Sequence, residues 1–437
     1  MYSAYITTIR ELRKHSNADR LQCATIFGNN VIVDLSYEVG KRVVFFPVDG
    51  QLSEEYTTAN NLLRRKDENG NNVGGYLDPD KRNITALKLR GEKSEGLAMP
   101  IETLAPYTDI EKLKDGDQIT VLGGVEICKK YIPRVNQRSV ANTVSKTCKH
   151  KDKDPKVTYP YFVEHIDTAQ LAYNMNAFRP GDTCYITLKM HGTSARTANT
   201  VEVQKKYPGR LRRLFGAKPK MTRSYNTISG TRRCVLKNYD GGFYGSNQFR
   251  EKYHDFFKDK LPKGIEVFYE IVGYVHDDTP IMGKCSNKLI KDKAFEKQYG
   301  KETVFSYGCE EGTNACYVYR MTMTNEDGYA VELPWETVQV ECEKMGVRCV
   351  PTFEKFTFTT WEDLMARVEK YYDGPDPVGR THVREGIVVR IDNRPSFTAY
   401  KHKNFSFKCL EGIIKDTADA PDMEEAEELL IVDSADT

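Results

Sequence analysis

A short run of alternating residues ends in a lysine and predicts a strand that borders a binding site. Cys184, Ile186 and Leu188 alternate with other residue types, which is the pattern of a β-strand with one buried face. Lys189 falls on the opposite face, so we expect it to point into a cleft. Gly192 follows three residues later and allows the backbone to turn tightly beside a ligand.

A lysine in this position has two interpretations. It can act as a covalent nucleophile once its ammonium has lost a proton. An isolated Lys-x-His-Gly match, such as Lys189 to Gly192, is far more often a solvated surface group before a glycine turn. The order of motifs further along the chain decides between the two.

Composition indicates an ordinary soluble globular protein of two or three domains. The chain has 437 residues, of which 39% are hydrophobic and 29% charged, so it can bury real cores. Apolar runs such as Val43 to Phe46 are far too short to cross a bilayer. The eleven cysteines include no C-x-x-C pair. We therefore expect a cytoplasmic protein (host cytoplasm if viral) with reduced thiols, no membrane partner and no structural zinc.

Charge is distributed unevenly, although the formal net charge is only +2. Residues 205–237 contain eleven basic and no acidic side chains, whereas residues 416–437 contain nine acidic and no basic ones. A solvated basic loop and a disordered acidic tail would explain both segments. The functional alternative for the first is a surface that binds a phosphate backbone. The overall balance argues against a purely electrostatic nucleic-acid binder.

The N-terminal residues 1–105 predict a small all-β domain. Short alternating runs lie at Gln22 to Phe27, Val31 to Leu35 and Arg42 to Pro47, separated by glycine and asparagine. Closely spaced short strands suggest a small barrel. Residues 106–158 carry turn signals and predict a connecting segment.

A second domain is predicted over residues 159–412, followed by an acidic tail over 413–437. Amphipathic periodicity predicts helices at Trp335 to Met345 and at Thr360 to Tyr372. Short strands surround them, so the fold class is α+β.

Paired charges recur on the predicted strands of this domain. Alternation places Glu266, Phe268 and Glu270 on one face, where a carboxylate suits a ribose hydroxyl or a metal-bound water. Lys401 and Lys403 also share a face, and a bound phosphate would relieve their mutual repulsion. Each feature alone is better explained as a solvated rim group.

Other candidate contacts have equally ordinary alternatives. Tyr319 lies on an aromatic strand and can stack on a purine, worth ~1–3 kcal/mol per base, although a core aromatic is commoner. Glu385 and a glycine lead the next strand. Arg82 and Arg90 can meet phosphates or be solvated hairpin charges.

The order of these motifs resembles the covalent nucleotidyltransferase superfamily of ligases and capping enzymes. The resemblance covers roughly residues 160–410. The matching stretches, in order, are K-x-H-G from Lys189, S-G-T-R from Ser229, F-Y-E from Phe268, the aromatic strand Tyr317 to Met321, E-G-I-V-V from Glu385 and K-x-K-N-x-x-F from Lys401. The first and last stretches resemble the ATP-dependent RNA ligases of this superfamily. The N-terminal domain resembles the OB module that precedes the ligase domain in RNA ligases of the Naegleria and Deinococcus type, and this likeness rests on Asn17 to Leu21, Gly74 to Asp78 and Leu89 to Gly96.

This resemblance implies a fold and a reaction. The fold would be an OB-like β-barrel followed by a nucleotidyltransferase domain, similar to ATP-grasp folds, with antiparallel sheets and flanking helices. The protein would be a monomer that joins RNA 3′-hydroxyl and 5′-phosphate ends in RNA repair. ATP and Mg²⁺ (or Mn²⁺) would be needed, and lysyl-AMP and RNA-adenylate would be the intermediates.

The resemblance also implies residue roles. Lys189 would attack the α-phosphorus of ATP. The catalytic residues would be Lys189, Glu385, Lys401 and Lys403. The nucleotide would be contacted by Lys189, His191, Arg196, Phe268, Glu270, Tyr319, Lys401 and Lys403. The metal would be held by Glu385 and Glu270. RNA would be contacted by Arg82, Arg90, Arg196, Arg232 and Arg233.

Departures from the superfamily pattern leave alternatives open. His191 replaces the acid of the usual K-x-D-G, and Tyr319 lies in Y-R-M where relatives often have F-D. Only 34 residues follow Lys403, so we expect no C-terminal barrel, which disfavours capping enzymes and ordinary DNA ligases. The alternatives are a polynucleotide ligase that prefers DNA and an RNA-binding OB protein with a degenerate ligase domain. The intact lysines and glutamates argue against the second.

Overall fold

Two sets of mainly antiparallel sheets build the chain. A computed structural model describes residues 2–70, 73–132, 156–162, 165–206, 218, 220–232, 234–236, 239, 244 and 247–416. Unit 1 contains the described residues up to 132 together with Asn287–Lys301 and Phe405–Asp416. Unit 2 contains the described residues from 156 to Ser286 together with Glu302–Asn404.

The longest strands, Thr193–Lys206 and Ile265–His276, lie in unit 2. Those of unit 1 are β1 Ala4–Thr8, β2 Leu12–Lys14, β3 Leu21–Ile26, β4 Asn29–Asp34, β5 Arg42–Phe46, β6 Gly50–Leu52, β7 Ala86–Leu89, β8 Glu92–Glu95, β9 Leu97–Pro100, β10 Gln118–Ile119, β11 Val121–Leu122, β12 Val125–Glu126 and β13 Cys128–Lys130. Those of unit 2 are β14 Lys156–Thr158, β15 Ala169–Gln170, β16 Thr183–Lys189, β17 Thr193–Lys206, β18 Lys220–Gly230, β19 Val235–Leu236, β20 Ile265–His276, β21 Thr279–Pro280, β22 Cys285–Ser286, β23 Glu302–Thr303, β24 Asn314–Thr324, β25 Ala330–Glu332, β26 Arg348–Cys349, β27 Thr352–Thr357, β28 Gly386–Ile391 and β29 Ala399–Lys403.

The described residues include six α-helices and five short 3₁₀ turns. The α-helices are α1 Glu54–Ala59, α2 Gln248–Lys258, α3 Lys293–Tyr299, α4 Trp335–Met345, α5 Trp361–Tyr371 and α6 Phe405–Asp416. Short 3₁₀ turns lie at Ile101–Leu104, Ile110–Lys112, Leu171–Tyr173, Met175–Ala177 and Asn287–Ile290. No helix of the described residues is both long enough and apolar enough to span a bilayer.

The N-terminal part of unit 1 is mainly β, although helix α1 interrupts the predicted all-β region, and its described strands do not close into one barrel. They form a four-stranded sheet in the order β10-β1-β5-β9, a three-stranded sheet β2-β3-β4, and three two-stranded pairs. The OB fold therefore stays a prediction. The unit extends past the predicted boundary at residue 105 because β10 pairs with β1 and β13 pairs with β6.

A hairpin in unit 1 holds the helix that follows β29. Arg90 and Gly91, both with positive φ (49° and 95°), form the two-residue turn between β7 and β8. Lys408 of α6 forms an ion pair of 2.8 Å with Glu95 of β8. The Cys409 thiol of α6 contacts the Ala86 carbonyl of β7 at 3.5 Å. The predicted domain over 159–412 is therefore interrupted, because α6 packs in unit 1.

Unit 2 contains two large sheets. The nine-stranded sheet follows the order β19-β18-β17-β20-β24-β25, and β14, β21 and β26 pair with β17, β20 and β24 outside this order. The five-stranded sheet follows β15-β29-β28-β16-β27. Neighbouring strands are antiparallel except for β15 with β29 and β24 with β26. This arrangement confirms the predicted α+β class with antiparallel sheets.

Both predicted helices of unit 2 are confirmed. Helix α4 begins after Pro334 and ends at Gly346, whose φ of 72° permits the left-handed cap. Helix α5 begins after Thr360, whose side chain accepts the Asp363 N–H. Its residue Leu364 is fully buried in the core under the five-stranded sheet.

Several predictions fall partly or wholly on residues that the structure does not describe. These are residues 133–155 of the connecting segment, most of the basic segment between 207 and 219, and residues 417–437 of the acidic tail. The solvated loop considered for residues 205–237 is wrong for Lys220–Gly230. This stretch forms β18, which pairs along its whole length with β17.

Candidate active site

Lys189 ends β16 and lies in register with a glycine and a second lysine. Lys189 pairs with Gly386 of β28, and Gly386 pairs with Lys403 of β29. Side chains directly across neighbouring strands point to the same face of a sheet. Gly386 carries no side chain, so nothing from β28 stands between the two ammonium groups. Lys401, two residues before Lys403, shares that face.

Glu385 joins the two lysines. Its Oε1 lies 2.7 Å from Lys189 Nζ and 3.6 Å from Lys403 Nζ. The Glu385 side chain is 2% exposed, whereas that of Lys189 is 22% exposed. His191 Nδ1 lies 4.0 Å from Glu385 Oε2. A nearly buried carboxylate thus holds a partly accessible amine at the end of a strand.

The turn from Lys189 to Gly192 is held by its backbone amides. The Gly192 N–H donates to Glu270 Oε1 at 3.1 Å. The His191 N–H donates to Tyr307 Oη at 2.6 Å. Two side chains from elsewhere in unit 2 therefore fix the turn that follows Lys189.

Two glycines in these motifs are required by close backbone contacts. A Cβ on Gly192 would lie 2.3 Å from the Ile271 carbonyl oxygen. A Cβ on Gly386 would lie 2.2 Å from the His402 carbonyl oxygen, and the φ of Gly386 is 149°. The need for glycine at both positions could be expected from the sequence. The backbone groups that each glycine contacts could not.

An aromatic region lies on the nine-stranded sheet. Tyr319 is the extra residue of a β-bulge, because Phe268 pairs with Arg320 and the next residue of β20 pairs with Val318. The Tyr319 hydroxyl lies 3.1 Å from the Ser194 hydroxyl. The bulge gives Tyr319 a different setting from its neighbours in β24.

Phe268 is enclosed by other side chains. The guanidinium carbon of Arg320 lies 4.4 Å from its ring centroid, and the His165 ring lies 5.4 Å away. Burial, helped by nearby arginines, lowers the pKa of His165 to about 3, so this ring is neutral at physiological pH. Tyr319 is less enclosed, which favours it over Phe268 for stacking on a base.

Arg196 is buried in an ion pair. It is 1% exposed, its Nη1 lies 3.2 Å from Glu266 Oε1, and its Nε donates to the Thr231 carbonyl. The Phe162 ring lies 3.7 Å from its guanidinium carbon. In this conformation Arg196 offers almost no surface to RNA, in contrast to the predicted contact.

The Arg196–Glu266 pair gives a test of pH-dependent stability. Burial raises the pKa of Glu266 from 4.5 to about 7, although Arg196 opposes the shift. The folded protein then binds more protons than the unfolded chain between these values, so stability falls as pH rises from 4.5 to 7. We expect Glu266→Gln to remove this fall, so that the difference in Tm between variant and unsubstituted protein changes across that window.

The matched control for this test is the exposed Glu326. Its Glu326→Gln variant should shift Tm by a similar small amount at every pH. A Glu266→Gln profile parallel to that of the unsubstituted protein would contradict the assignment of this carboxyl group.

The predicted RNA contacts lie in different places. Arg232 forms an ion pair of 2.8 Å with Asp167 in unit 2. In unit 1, Arg90 is exposed at the hairpin tip, whereas Arg82 is half-buried and donates to the carbonyls of Leu52 and Pro79. Arg233 lies outside the described residues.

The site suits a divalent cation that arrives with a nucleotide. No group of three or more histidine, cysteine, aspartate or glutamate side chains among the described residues can hold a metal by itself. Mg²⁺ commonly keeps several waters and uses one or two carboxylates with substrate phosphates. Glu385 is a hard oxygen donor beside the two ammonium groups, so it fits such a site.

Sequence reasoning missed Tyr307 and the loop beside it. Tyr307 is buried next to His382, and their rings lie 4.5 Å apart. Asp376 and His382 are fully buried as well. They stand in irregular segments without periodicity, so no pattern could have connected them to Lys189.

Comparison of structures relates this fold to solved enzymes. A substituted Naegleria gruberi RNA ligase with ATP and Mn matches with a TM-score of 0.57 and 15% identity, over 93% of this chain and 98% of that chain. The Naegleria gruberi RNA ligase with pyrophosphate matches with a TM-score of 0.56 and 15% identity, over 92% and 97%. These likenesses show the fold alone.

Sequence comparison identifies the family. A search of curated proteins gave no significant match. A family model described as RNA ligase matches residues 182–410, which is more than half of the chain. This range includes every predicted motif from β16 to α6. The chain belongs to the RNA ligase family.

Proposed function

We propose that this chain is an ATP-dependent RNA ligase that joins a 3′-hydroxyl to a 5′-phosphate through lysyl-AMP and RNA-adenylate. The observation that carries the proposal is the row Lys189, Gly386 and Lys403, with Glu385 bridging the two lysines. RNA repair is the expected setting, and a monomer the expected state.

In the first step, Lys189 Nζ attacks the α-phosphorus of ATP. An N–P bond forms, the bond from the α-phosphorus to the bridging oxygen breaks, and pyrophosphate leaves. The ammonium must lose a proton before it attacks, and Glu385 Oε1 at 2.7 Å is within hydrogen-bond distance to accept it. Lys401 and Lys403 would hold the α-phosphate, since both point to the face of Lys189.

The later steps use the stored AMP. A 5′-phosphate oxygen of RNA attacks the lysyl-AMP phosphorus, which frees Lys189 and gives RNA-adenylate. An RNA 3′-hydroxyl then attacks the 5′-phosphate, and AMP leaves. Lys189 is not a nucleophile in this last step, so the two halves of the reaction can be measured separately.

A divalent cation would neutralise developing negative charge on the phosphates. Glu385 would hold it through a bound water, and Glu270 is the second predicted metal contact. Glu270 accepts the Gly192 N–H beside Lys189, and its carboxylate would meet a ribose hydroxyl or a metal-bound water there.

The remaining nucleotide contacts follow from exposure. Tyr319 would stack on adenine, since the Phe268 ring is covered by Arg320. His191, whose ring lies against Phe305, would stand beside the phosphates. Arg196 is buried in its ion pair with Glu266, so it would support the sheet rather than touch ribose.

Sealing of end-labelled RNA tests the proposal. With ATP and Mg²⁺, the protein should convert a labelled 5′-phosphate at a nick from phosphatase-sensitive to phosphatase-resistant. All-RNA nicks should be sealed faster than all-DNA nicks. Faster sealing of all-DNA nicks would support the DNA-preferring alternative, and no sealing of either would contradict the proposal.

Arg90 gives a test of RNA contact that leaves the reaction on Lys189 intact. We expect Arg90→Asn to weaken RNA binding and to reduce the log–log salt slope by about 0.7 to 0.9, the effect of one lost phosphate contact. Asparagine tolerates the positive φ of this position. The measurement is RNA binding by titration at several salt concentrations.

The control is Arg10→Asn, which removes an equally exposed arginine of unit 1. Equal loss in both variants would indicate a general charge effect instead of a contact at the hairpin. Point variants are preferable to deletion of residues 1–133, because the deletion would remove β7 and β8, the strands that α6 contacts.

A further inference from the structure

Tyr307 is a buried tyrosine whose hydroxyl contacts the turn after Lys189. Its Oη accepts the His191 N–H at 2.6 Å, and 3% of the residue is exposed. The bond joins the loop after β23 to backbone two residues beyond Lys189. None of the sequence motifs includes this tyrosine, and the proposed chemistry gives it no part.

The backbone of Tyr307 has a φ of 50°, which is unfavourable for a bulky aromatic residue. Such conformations persist only where the surroundings hold them, and they concentrate at active sites and ligand clamps. Neighbouring residues must therefore hold Tyr307 in this conformation.

The loop of residues 376–382 packs against Tyr307 and can hold its backbone in this conformation. Asp376 is fully buried and accepts three backbone N–H groups of its own loop. The His382 ring packs edge-on against Tyr307, with centroids 4.5 Å apart. Gly379 lies so close to the next residue of the Tyr307 loop that an added Cβ would meet the Gly308 nitrogen at 2.3 Å.

The same cluster extends toward Lys189 and Glu385, the two groups of the first reaction step. Phe305 packs edge-on against both His191, at 4.7 Å, and His382, at 5.0 Å. His382 lies three residues before Glu385 in the chain. One buried cluster therefore supports the turn after Lys189 and leads directly into the carboxylate that pairs with Lys189.

We propose that Tyr307 is a positioning residue for transfer of AMP to Lys189: its hydroxyl fixes the His191 amide and thereby aims the Lys189 amine. This inference rests on the proposed function. In-line attack requires the reacting atoms within about 3–3.5 Å, and a displacement of ~1 Å can cost about 10²-fold in rate. Burial, with the charge of Glu385, raises the pKa of Tyr307 well above its usual range, so the phenol keeps its proton.

The test is Tyr307→Phe in the full-length chain, which removes one oxygen and keeps the ring. The single-turnover rate of lysyl-AMP formation should fall roughly tenfold, as expected for loss of one such hydrogen bond. The apparent KM for ATP and the rate of sealing pre-adenylated RNA should stay within about twofold, because neither depends on attack by Lys189.

The matched control is Tyr317→Phe. Tyr317 is equally buried, but its hydroxyl accepts a hydrogen bond of 2.8 Å from Arg348 and not from the turn after Lys189. This variant should form lysyl-AMP at the unsubstituted rate. Thermal melting of both variants reports on folding.

Three results would overturn the inference. They are an unchanged rate of lysyl-AMP formation in Tyr307→Phe, an equal loss in Tyr317→Phe, and a melting temperature of Tyr307→Phe far below that of Tyr317→Phe with all steps reduced together. The third result would indicate that the Tyr307 hydroxyl only stabilises the fold. Failure of the unsubstituted protein to form lysyl-AMP would instead contradict the proposed function itself.

Discussion

Lys189→Ala should carry no label after incubation with α-labelled ATP and denaturation, and it should leave 5′-phosphate RNA unsealed. The variant removes the only atom that the proposal allows to attack the α-phosphorus. It should still seal RNA that already carries a 5′-adenylate, because that step needs no lysine nucleophile. The two assays on one preparation therefore separate loss of the nucleophile from loss of the fold.

Lys189→Arg provides the matched control for charge. Arginine keeps a cation beside Glu385 but stays protonated and cannot attack. It should be as inactive in label transfer as the alanine variant. Label on either protein would show that another residue is the nucleophile.

Glu385→Gln should slow lysyl-AMP formation by roughly 10²–10⁴-fold, the range for loss of a positioned proton acceptor. Glutamine keeps the shape of the side chain but removes its negative charge. In Glu385 that charge lies on Oε1, 2.7 Å from Lys189 Nζ and 3.6 Å from Lys403 Nζ. Single-turnover formation of labelled protein at saturating ATP and Mg²⁺ measures the effect.

Glu266→Gln is the control for this prediction. Glu266 is also a buried strand carboxylate in an ion pair, but its partner is Arg196 and it has no contact with Lys189. Its variant should lose far less activity. A reversal, with Glu266 essential and Glu385 dispensable, would contradict the assignment of the two strands.

The local patterns of the sequence were enough to predict much of unit 2. Alternation around Lys189 and Glu270 predicted strands, and the structure confirms β16 and β20. The expected single buried face of β16 is wrong, because Tyr185 and Thr187 on the opposite face are buried as well. The helices α4 and α5 were also predictable, since periodicity and caps are local signals. The shared face of Lys401 and Lys403 needed only the two-residue period of a strand.

Long-range contacts explain what the sequence could not predict. The register that aligns Lys189, Gly386 and Lys403 depends on pairing between segments about 200 residues apart. The assignment of α6 to unit 1 depends on contacts with β7 and β8 that no local pattern encodes. The contact of Tyr307 with the His191 amide arises from an irregular loop, where periodicity gives no signal.

Mapping the AMP adduct tests the central claim most directly. The unsubstituted protein should be incubated with ATP and Mg²⁺ and digested at a pH that preserves the phosphoramidate, and its peptides analysed by mass spectrometry. The account predicts a single AMP adduct, on the peptide that contains Lys189, and its removal when pyrophosphate is added back. An adduct on Lys401, Lys403 or Lys408, or no adduct on a protein that nevertheless seals RNA with ATP, would contradict it.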